Sequence, residues 1–497
     1  MLNVACFVQS RLTDADFVIF SNYCLIGTRR MATVFFARRG DCMTRDRETA
    51  RRIAQEVQPL GGSVYYVGGC VRDRLLGRES KDLDIEVHGV TPQQLEAVLD
   101  RMGDRRTVGA SFGVYGLAGC GLDIAMPRRE AAVGRGHRDF TVEVDPWLGP
   151  ERAARRRDFT VNALMEDVLT GQVLDFFGGR EDLRRGLLRH VDDHSFPEDP
   201  LRVLRGAQFA ARFGFTVAEE TVALCRTMDL SALSRERVEG ELQKALLQAP
   251  RPSIFFRTLD TMHQLRPWFT EVQRLQGVPQ PPRYHGEGDV WEHTMAVLDT
   301  AAELRLQAAQ PMALMLAALA HDFGKVAATT ESGGVIHAYG HEEAGLPPAE
   351  DFLRRVIGEK ALHRCVKNLV ALHMKPNAMA LSGASVKSTN RLLDAAIEPG
   401  DLILLALADH RGSRCDPPRP DPEPFLRQRL EIYRAAMARP MVTGSDLISA
   451  GLTPDRDFSQ LLAYARKLHL AGLDREAALR QTLAYARKLS KKHQKEG

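Results

Sequence analysis

The fold of the N-terminal part of this chain is decided by Val64-Tyr65-Tyr66-Val67-Gly68-Gly69-Cys70-Val71-Arg72-Asp73 and, shortly after it, by Asp82-Leu83-Asp84-Ile85-Glu86-Val87. Residues 64–67 are an apolar and aromatic run that predicts a strand ending at the two glycines. Residues 71–76 predict a short helix, which Gly77 terminates. Residues 82–87 alternate between acidic and apolar side chains, and this period of two predicts a second strand with one apolar face.

The glycine pair Gly68-Gly69 stands between the first predicted strand and the predicted helix. Glycine lets backbone N–H groups approach a phosphate closely, and a helix N-terminus adds partial positive charge. The pair therefore fits a triphosphate-binding turn. Taken alone, however, two glycines before a helix are more often an ordinary tight turn.

Asp82 and Asp84 lie two residues apart on the second predicted strand, so both carboxylates point to the same face. Two like charges a few ångströms apart repel each other unless a cation lies between them. Carboxylate oxygens suit Mg²⁺, and two such ions about 4 Å apart would activate a 3′-hydroxyl and stabilise a leaving pyrophosphate. The alternative is a solvated strand face, which Glu86 would continue.

The combined pattern G-G-x-V-R-D-x-L-L-G followed by K-D-x-D is far more specific than either half. It resembles the head domain of the tRNA nucleotidyltransferase/poly(A) polymerase family, in its bacterial (class II) branch. The resemblance implies metal-binding or triphosphate-binding roles for five residues, namely Asp82, Asp84, Gly68, Gly69 and Arg72. A third catalytic carboxylate is expected at Asp123, in the strand-like segment Leu122-Asp123-Ile124-Ala125, with Glu130 as the alternative.

A second segment extends the resemblance, because residues 156–163 match the family's R-R-D-F-T-x-N-A motif. That motif is associated with the ribose and the triphosphate of the nucleotide. The resemblance therefore makes Arg157, Asp158 and Asn162 candidate nucleotide-binding residues. Residues 138–142 repeat the letters R-D-F-T-V, but no Asn-Ala follows them, so we assign them no role.

Residues 198–205 match the family's E-D-x-x-R motif and contain the candidates Asp199, Arg202 and Arg205. A carboxylate and a guanidinium on one helical face can present an acceptor and donors to the pairing edge of a base. Cytosine and adenine both offer an exocyclic amine and a ring-nitrogen acceptor there, whereas guanine and uracil would leave buried polar groups unpaired. Asp199 with Arg202 is therefore expected to accept CTP and ATP alone. The alternative is an ordinary i,i+3 surface ion pair.

An apolar run at 311–320 predicts a buried helix that ends in His321-Asp322. A charged doublet at the end of a buried helix needs a partner, and a metal ion is a suitable one. Four residues from other predicted segments are expected to join the doublet, His293 and Asp409 at the same ion, and His341 and His373 at a second ion or a phosphate. The alternative is a structural doublet, because buried histidines commonly only donate or accept hydrogen bonds.

The ordered series His…His-Asp…His…His…Asp resembles the HD phosphohydrolase superfamily. Residues 284–290, just ahead of His293, strengthen that resemblance. It implies a metal-dependent domain that hydrolyses phosphomonoesters or cyclic phosphates. Mixed imidazole and carboxylate ligands suit Mn²⁺, Ni²⁺, Fe or Mg²⁺ better than a thiolate-rich zinc site does.

The predicted fold class is α+β, with a small mixed β-sheet in the head and helical segments after it. Five parts are expected along the chain, namely a leader at 1–45, the nucleotidyltransferase head at 46–185, a nucleotide-selecting neck at 186–250, a body with the HD domain at 251–415 and a helical tail at 416–497. The leader is expected to be disordered or to precede the true start, because a clean helical pattern opens at Met43. Residues 416–424 predict a Pro-rich linker, and the repeat L-A-Y-A-R-K-L at 462–468 and 483–489 predicts a helical hairpin.

The composition is ordinary for a soluble globular protein and excludes several other classes of protein. The 497 residues are 44% hydrophobic and 26% charged, and the net charge of +3 permits a nucleic-acid partner without requiring one. The eight cysteines are scattered without a C-x-x-C pair, which indicates a reducing compartment and hence a cytoplasmic protein. No apolar run approaches the ~20 residues needed to span a bilayer, so we expect no membrane partner. No segment indicates an obligate protein partner.

Together these resemblances imply a tRNA nucleotidyltransferase that adds CCA to tRNA 3′ ends from CTP and ATP without a nucleic-acid template. The predicted cofactors are Mg²⁺ in the head and a divalent metal in the HD domain. A poly(A) polymerase, or an enzyme that adds only CC or only A, stays open because these branches share nearly all the motifs. An alternative of another class is an HD phosphohydrolase whose head only binds RNA, but the intact pair Asp82 and Asp84 argues against it.

Overall fold

The computed structural model describes residues 29–80, 82–109, 113–132 and 140–496. The chain divides into two compact units, the first ending at Leu233 and the second beginning at Ser234. The first unit combines a mixed β-sheet with helices, and the described part of the second is almost entirely helical. This architecture confirms the predicted α+β class. Among the described helices, none is long and apolar enough to cross a membrane.

The first described helix, α1 (Arg29–Val57), begins well ahead of Met43. The helical pattern expected from Met43 onward lies inside this helix, which extends upstream to Arg29. Residues 1–28 of the predicted leader lie outside the described residues, and the leader itself stays a prediction. Near its end the helix buries four apolar side chains at helical spacing, namely Ala50, Ile53, Ala54 and Val57. This stripe packs the helix against the β-sheet of the first unit, as an amphipathic helix requires.

Among the described residues up to 174 lie nine strands, namely β1 (Ser63–Val67), β2 (Leu83–His88), β3 (Arg105–Gly109), β4 (Val114–Leu117), β5 (Leu122–Ala125), β6 (Arg128–Ala132), β7 (Phe140–Val144), β8 (Met165–Asp167) and β9 (Val173–Leu174). Seven of them form one sheet in the order β3-β4-β5-β2-β1-β8-β9, while β6 and β7 pair separately. Neighbouring strands are antiparallel except β2 and β5, which are parallel. The parallel pair lies at the centre of the sheet.

The alternation predicted for residues 82–87 is confirmed, because Leu83, Ile85 and Val87 are buried in the core of the sheet. The helices of this unit after α1 are α2 (Gly69–Leu75), α3 (Pro92–Met102), α4 (Pro150–Arg155), α5 (Gly179–Arg185), α6 (Leu201–Phe213) and α7 (Glu219–Arg226). The short helix predicted at 71–76 is confirmed as α2, which begins two residues earlier, at Gly69 of the glycine pair. A short parallel pair, β10 (Leu187–Leu188) with β11 (Thr216–Val217), completes the unit.

The second unit contains sixteen described helices, namely α8 (Arg235–Gln248), α9 (Ser253–Thr261), α10 (Thr270–Gln273), α11 (Val290–Leu304), α12 (Pro311–Ala320), α13 (Lys325–Ala328), α14 (His341–Ala344), α15 (Leu346–Val356), α16 (Lys360–Leu372), α17 (Met374–Leu381), α18 (Val386–Ala395), α19 (Pro399–Gly412), α20 (Glu423–Met437), α21 (Gly444–Ser449), α22 (Phe458–Leu470) and α23 (Arg475–Glu496). The predicted buried helix is confirmed as α12, which packs against α11, α16 and α19. Helix α20 begins at Glu423, so the predicted linker is slightly too long.

A β-hairpin of β12 (Thr330–Ser332) and β13 (Val335–His337) interrupts the helices, and the sequence did not predict it. Its strands are short and largely exposed, so no burial pattern indicates them. The local signal is the turn Gly333-Gly334, where both residues have positive φ, 60° and 74°. Two such glycines between strands are typical of a tight hairpin turn.

The two copies of the repeat L-A-Y-A-R-K-L lie in α22 and α23, two helices that a short loop joins and that pack on each other, which confirms the predicted helical hairpin. Tyr464 and Tyr485 occupy the same place in the two copies. Their rings stack on each other, with centroids 4.4 Å apart and planes inclined by 27°. The repeat therefore pairs like residues across the hairpin.

Candidate active sites

The candidate carboxylates of the first unit come together on the parallel strands β2 and β5. Asp84 and Asp123 are register partners, so they lie side by side on adjacent strands, and Asp82 directly precedes β2. Asp84 is partly buried, whereas Asp82 and Asp123 are exposed. The alternative third carboxylate, Glu130, belongs to β6, which pairs with β7 outside the main sheet.

The electrostatics of Asp84 reflect this crowding of carboxylates. Burial raises its pKa, and the neighbouring charges of Asp123 and Asp82 raise it further, while Arg157 acts in the opposite direction. Like-charged carboxylates held together in this way are stabilised by a divalent cation. The donor set of hard oxygens fits Mg²⁺, so the three residues could hold that ion.

The glycine turn brings backbone, arginine and carboxylate close together. Gly68 has a positive φ of 72°. A Cβ added there would lie 3.2 Å from Nη1 of Arg157 and 3.9 Å from Oδ2 of Asp84. The positive φ therefore favours glycine, and a Cβ would also crowd the guanidinium of Arg157, whereas its distance to Asp84 is an ordinary contact. Gly69 opens helix α2 immediately after this turn.

Glu86 continues the acidic row of β2 but is not solvated, because it is only 1% exposed. Its Oε1 lies 2.8 Å from Nε2 of His88, and its Oε2 lies 3.6 Å from Nη2 of both Arg156 and Arg157. Burial alone would raise the pKa of Glu86, but the His88 hydrogen bond and the two arginines outweigh it and lower that pKa to about 2. The carboxylate is thus a buried anion with arginine partners, which excludes the solvated-face interpretation for this position.

A buried polar network connects the glycine turn, the 156–163 segment and helix α6. Arg72 donates from Nη1 to Oδ1 of Asn162 at 2.6 Å, and Asn162 donates to Asp158 at 2.9 Å. Asp158 also accepts from Nε of Arg205 at 2.7 Å. Burial would raise the pKa of Asp158, yet Arg205 and Asn162 lower it, so the carboxylate is held ionised. Four of the candidate nucleotide-binding residues therefore also connect the glycine turn, the 156–163 segment and helix α6 by hydrogen bonds.

The expectation that Asp199 and Arg202 share a helical face is wrong. Asp199 lies before α6 with extended backbone, φ −122° and ψ 100°. The cause is Pro200, because a proline disfavours the helical conformation of the residue before it. Arg202 lies on α6 and donates to the carbonyls of Ser195 and Arg156, at 2.8 and 2.6 Å.

The second unit brings together all six predicted ligands of the HD site. Helix α11 carries His293, the end of α12 carries His321 and Asp322, α14 begins at His341, His373 lies between α16 and α17, and α19 carries Asp409. The four histidines and Asp322 are buried. Convergence of five separate segments on one buried centre supports the predicted site.

Each of the four histidines uses its Nδ1 atom for an outer hydrogen bond. The acceptors are Glu287 Oε1 at 2.8 Å for His293, Ala318 O at 2.9 Å for His321, Ala338 O at 2.7 Å for His341 and Val370 O at 2.7 Å for His373. These bonds orient the rings so that the Nε2 atoms face the centre, the arrangement expected of metal ligands. Two pairs of Nε2 atoms, His293 with His321 and His341 with His373, are each 3.3 Å apart.

Asp322 lies between these two histidine pairs. Its Oδ2 is 3.2 Å from Nε2 of His321 and 3.6 Å from Nε2 of His293. Its Oδ1 is 3.3 Å from Nε2 of His341 and 3.9 Å from Nε2 of His373. One carboxylate therefore faces two pairs of imidazole nitrogens that could each bind a metal ion, which fits a site for two cations.

The charges at this centre are strongly coupled. Burial lowers the pKa of His293, but Asp409 and Glu287 outweigh it and raise that pKa to about 9. Burial and the neighbouring His321 lower the pKa of His373 to about 4. The charges of His293 and His321 hold the pKa of Asp409 below its usual range against burial. This mixed nitrogen and oxygen donor set fits a divalent cation.

Two residues of the centre were not assigned from the sequence. Glu287 accepts hydrogen bonds at Oε1 from both His285 and His293, at 2.9 and 2.8 Å, while its Oε2 accepts from the backbone N–H of Arg414. Lys325 places Nζ 2.7 Å from Oδ2 of Asp322. The signals were present, because Glu287 lies in the segment ahead of His293 and Lys325 is one helical turn after Asp322.

Comparison with known proteins relates both units to described families. Residues 64–189 match the Poly A polymerase head domain, and residues 290–411 match the HD domain. The multifunctional CCA protein of Nitrosococcus oceani is 39% identical over 80% of this chain and 95% of its own. That of Aromatoleum aromaticum is 38% identical over 81% of this chain and 96% of its own.

The chain belongs to the multifunctional CCA protein family. Solved structures agree in fold. The CCA-adding enzyme of Thermotoga maritima, complexed with tRNA, superposes with a TM-score of 0.61 at 20% identity, over 88% of this chain and 95% of that one. The CCA-adding enzyme of Bacillus stearothermophilus, complexed with CTP, gives a TM-score of 0.59 at 21% identity, over 89% and 98% of the two chains.

In this CCA-family chain the two matches coincide with the two candidate sites. The head match at 64–189 contains the glycine turn, the carboxylates of β2 and β5, and the 156–163 segment. The HD match at 290–411 contains all six predicted ligands, from His293 to Asp409. Glu287 lies just ahead of that match, so the structure adds it to the centre.

Proposed function

We propose that this chain is a tRNA nucleotidyltransferase that adds CCA to tRNA 3′ ends from CTP and ATP without a nucleic-acid template. The observation that carries the proposal is the pairing of Asp84 with Asp123 beside the Gly68 turn and Arg157. Relatives that are 38–39% identical over most of the chain are named multifunctional CCA proteins, which supports the same activity. Because tRNA and nucleotides are the proposed substrates, the proposed location is the cytoplasm.

The proposed catalytic residues are Asp82, Asp84 and Asp123, with Mg²⁺ as their cofactor. When bound, Mg²⁺ supplies activation of the tRNA 3′-hydroxyl and stabilisation of the pyrophosphate that leaves. The turn at Gly68 and Gly69 would offer backbone N–H groups to the triphosphate at the start of a helix.

Arginines complete the proposed nucleotide site. Arg157 would add a guanidinium to the triphosphate, since a guanidinium binds phosphate oxygens with two parallel hydrogen bonds. Arg72, Asp158, Asn162 and Arg205 would hold the turn, the 156–163 segment and helix α6 in register through their buried network.

Nucleotide selection is proposed for Asp199 and Arg202. The pairing edges of cytosine and adenine offer an amine donor and a ring-nitrogen acceptor, which a carboxylate and a guanidinium can satisfy. Guanine and uracil would leave these groups unpaired, and unpaired buried groups are costly enough to exclude them. Arg202 would exchange a carbonyl partner for the base on binding.

The second unit is proposed to act as a metal-dependent phosphohydrolase. The position of Asp322 between two histidine pairs supports two cations, with His293, His321 and Asp409 around one, and His341 and His373 around the other. Mn²⁺, Ni²⁺, Fe and Mg²⁺ all suit this donor set. When bound, cations held by these residues would supply activation of a water molecule and polarisation of a phosphate oxygen.

The proposed domain division follows the sequence, with the head at 46–185, the neck at 186–250, the body at 251–415 and the tail at 416–497. The boundary between the two compact units, after Leu233, falls inside the proposed neck. The parts before it carry the proposed nucleotide site, and the part after Pro252 carries the proposed phosphohydrolase site.

The test uses tRNA that lacks its 3′ end, incubated with the protein, Mg²⁺ and CTP, ATP or both, followed by sequencing of the product ends. The proposal expects a discrete CCA end with both nucleotides. Long A tails, or products ending at CC with both nucleotides present, would instead identify a poly(A) polymerase or a partial enzyme.

Asp82→Ala separates the two proposed sites. It is expected to abolish nucleotide addition and to leave metal-dependent phosphate hydrolysis unchanged. Asp100→Ala, which changes an exposed carboxylate that pairs with Arg105, serves as the control and should keep both activities. Equal loss of both activities in Asp82→Ala would contradict the two-site model.

A further inference from the structure

Glu86 continues the spacing of two residues that relates Asp82 to Asp84, but its environment differs from theirs. It is 1% exposed, whereas Asp82 is exposed and Asp84 is partly buried. A buried charge is stable only when it is paired. The partners of Glu86 are His88 on the same strand and the two arginines of the 156–163 segment.

The hydrogen bond from His88 settles which oxygen faces the arginines. Nε2 of His88 lies 2.8 Å from Oε1 of Glu86. The other oxygen, Oε2, then lies 3.6 Å from Nη2 of Arg156 and 3.6 Å from Nη2 of Arg157. One carboxylate oxygen therefore serves two guanidinium groups, which would otherwise repel each other.

Arg157 lies between carboxylates of two kinds. Its Nη2 faces Glu86, while its Nη1 lies beside the Gly68 turn, which Oδ2 of Asp84 also borders. The charge of Arg157 lowers the pKa of Asp84, so the two groups interact. Without the negative charge of Glu86, the nearest strong attraction for Arg157 is the Asp84 carboxylate, because Coulomb energy grows as opposite charges approach. An arginine on Asp84 would compete with a cation for the same oxygens.

We propose that Glu86 is a positioning residue of the nucleotide site, whose buried charge holds Arg157 beside the glycine turn and keeps it off Asp84, with Arg156 as the second partner of the same carboxylate. Arg157 is then directed at the triphosphate, and Asp84 stays available to the metal ion. The inference rests on the proposed function, since the triphosphate and the metal are those of nucleotide addition. It divides the acidic row of β2 into two metal-binding carboxylates and one arginine-binding carboxylate.

Glu86→Gln tests the proposal, because it keeps the shape of the side chain and removes its charge. The first measurement is the dissociation constant of CTP for the full-length protein in EDTA, where no metal contributes. We expect CTP to bind about tenfold more weakly, the effect of losing a charged hydrogen-bond partner. The second measurement is the Mg²⁺ concentration that gives half-maximal addition to tRNA, which we expect to rise severalfold.

A double-mutant cycle separates positioning from mere stabilisation. If Glu86 acts through Arg157, Glu86→Gln added to Arg157→Ala has no further effect on CTP binding. Full additivity of the two changes would overturn the proposal. Glu166→Gln is the matched control, because Glu166 is another strand carboxylate of the same sheet, paired 2.5 Å from Arg74. It should leave both the CTP dissociation constant and the Mg²⁺ requirement at wild-type values.

A second variant and the activity of the wild-type protein distinguish failure of the positioning role from failure of the proposed function. If Glu86→Gln does not fold, Glu86→Asp keeps the charge but withdraws it by one methylene, and it should weaken CTP binding without changing the unfolding temperature. Wild-type CTP affinity in that folded variant would overturn the proposal. If the wild-type protein neither binds CTP nor extends tRNA, the proposed function fails. If it does both and Glu86→Gln matches it, only the positioning role fails.

Discussion

Asp84 on β2 and Asp123 on β5 are register partners across the parallel pair at the centre of the main sheet. The two strands are separated in the chain by helix α3 and strands β3 and β4, so their carboxylates meet only because the sheet brings them together. Asp82 directly precedes β2 and adds a third negative charge. The resulting cluster is the strongest structural argument for a metal-dependent transfer reaction in the first unit.

Asp123→Asn is expected to reduce kcat/KM for CTP addition to tRNA by roughly a hundredfold or more, because a metal ligand is lost. Glu130→Gln is expected to stay near wild type, since Glu130 lies on β6, outside the main sheet. The metal-free Asp123→Asn protein should unfold at the same or a higher temperature, because the charge of Asp123 raises the pKa of Asp84 in the folded state. If Glu130→Gln lowered kcat/KM more than Asp123→Asn does, Glu130 and not Asp123 would be the third catalytic carboxylate.

Asp322→Asn is expected to lower the affinity of the second unit for divalent cations at both positions. The carboxylate faces His321 with one oxygen and His341 with the other, so both histidine pairs lose the carboxylate they share, although Asp409 still lies 3.2 Å from Nε2 of His293. Outer-shell partners alone typically change metal affinity 10–100-fold, and the loss here should be at least that large. Bound Mn²⁺ per chain, measured after dialysis, checks the expectation. His337→Gln, a histidine of the β12–β13 hairpin, is the control, and tRNA extension should persist in both variants.

Cation binding at the HD centre is expected to release a proton near neutral pH. The pKa of His293 is raised to about 9, so its imidazole is protonated at pH 7 in the metal-free protein, while a metal ligand must be neutral. The release should therefore be present below pH 9 and vanish as the pH rises above it. Titration calorimetry with Mn²⁺ in buffers of different ionisation enthalpy measures the number of protons. Constant heats across buffers at pH 7 would contradict the prediction.

Gly324→Ala is expected to damage the HD centre although it changes no ligand. A Cβ at Gly324 would lie 1.9 Å from the carbonyl oxygen of His341 and 2.5 Å from the backbone nitrogen of Gly345. The backbone must move to relieve this overlap, which should cost ~1–3 kcal/mol and shift His341 away from Asp322. Gly240→Ala is the control, because a Cβ at that helical position meets no atom within 4 Å. It should leave metal binding intact and stabilise the protein by ~0.5–1 kcal/mol.

Much of the local structure could be predicted from the sequence. The alternation at 82–87, the apolar run at 311–320 and the two copies of L-A-Y-A-R-K-L all fold as their periodicities indicate. The hairpin at 330–337 could not be predicted in this way, because its residues are mostly exposed and follow no burial period. The start of α1 at Arg29 also escaped prediction, since the sequence predicts the helical pattern only from Met43 onward.

The sequence by itself determined which residues share a strand, a turn or a helix, because these depend on neighbours a few positions apart. It therefore placed Asp84 on a strand just after the glycine turn, with Asp82 directly before that strand. The six residues proposed for the HD centre came from their resemblance to a known family. Only the tertiary structure decided which side chains are neighbours. It places Asp123 beside Asp84, and it pairs Glu86 with two arginines. Strand register and packing join residues far apart in the chain, and no local period records those distances. Whether an acidic side chain is solvated, binds a cation or holds an arginine is settled by these partners.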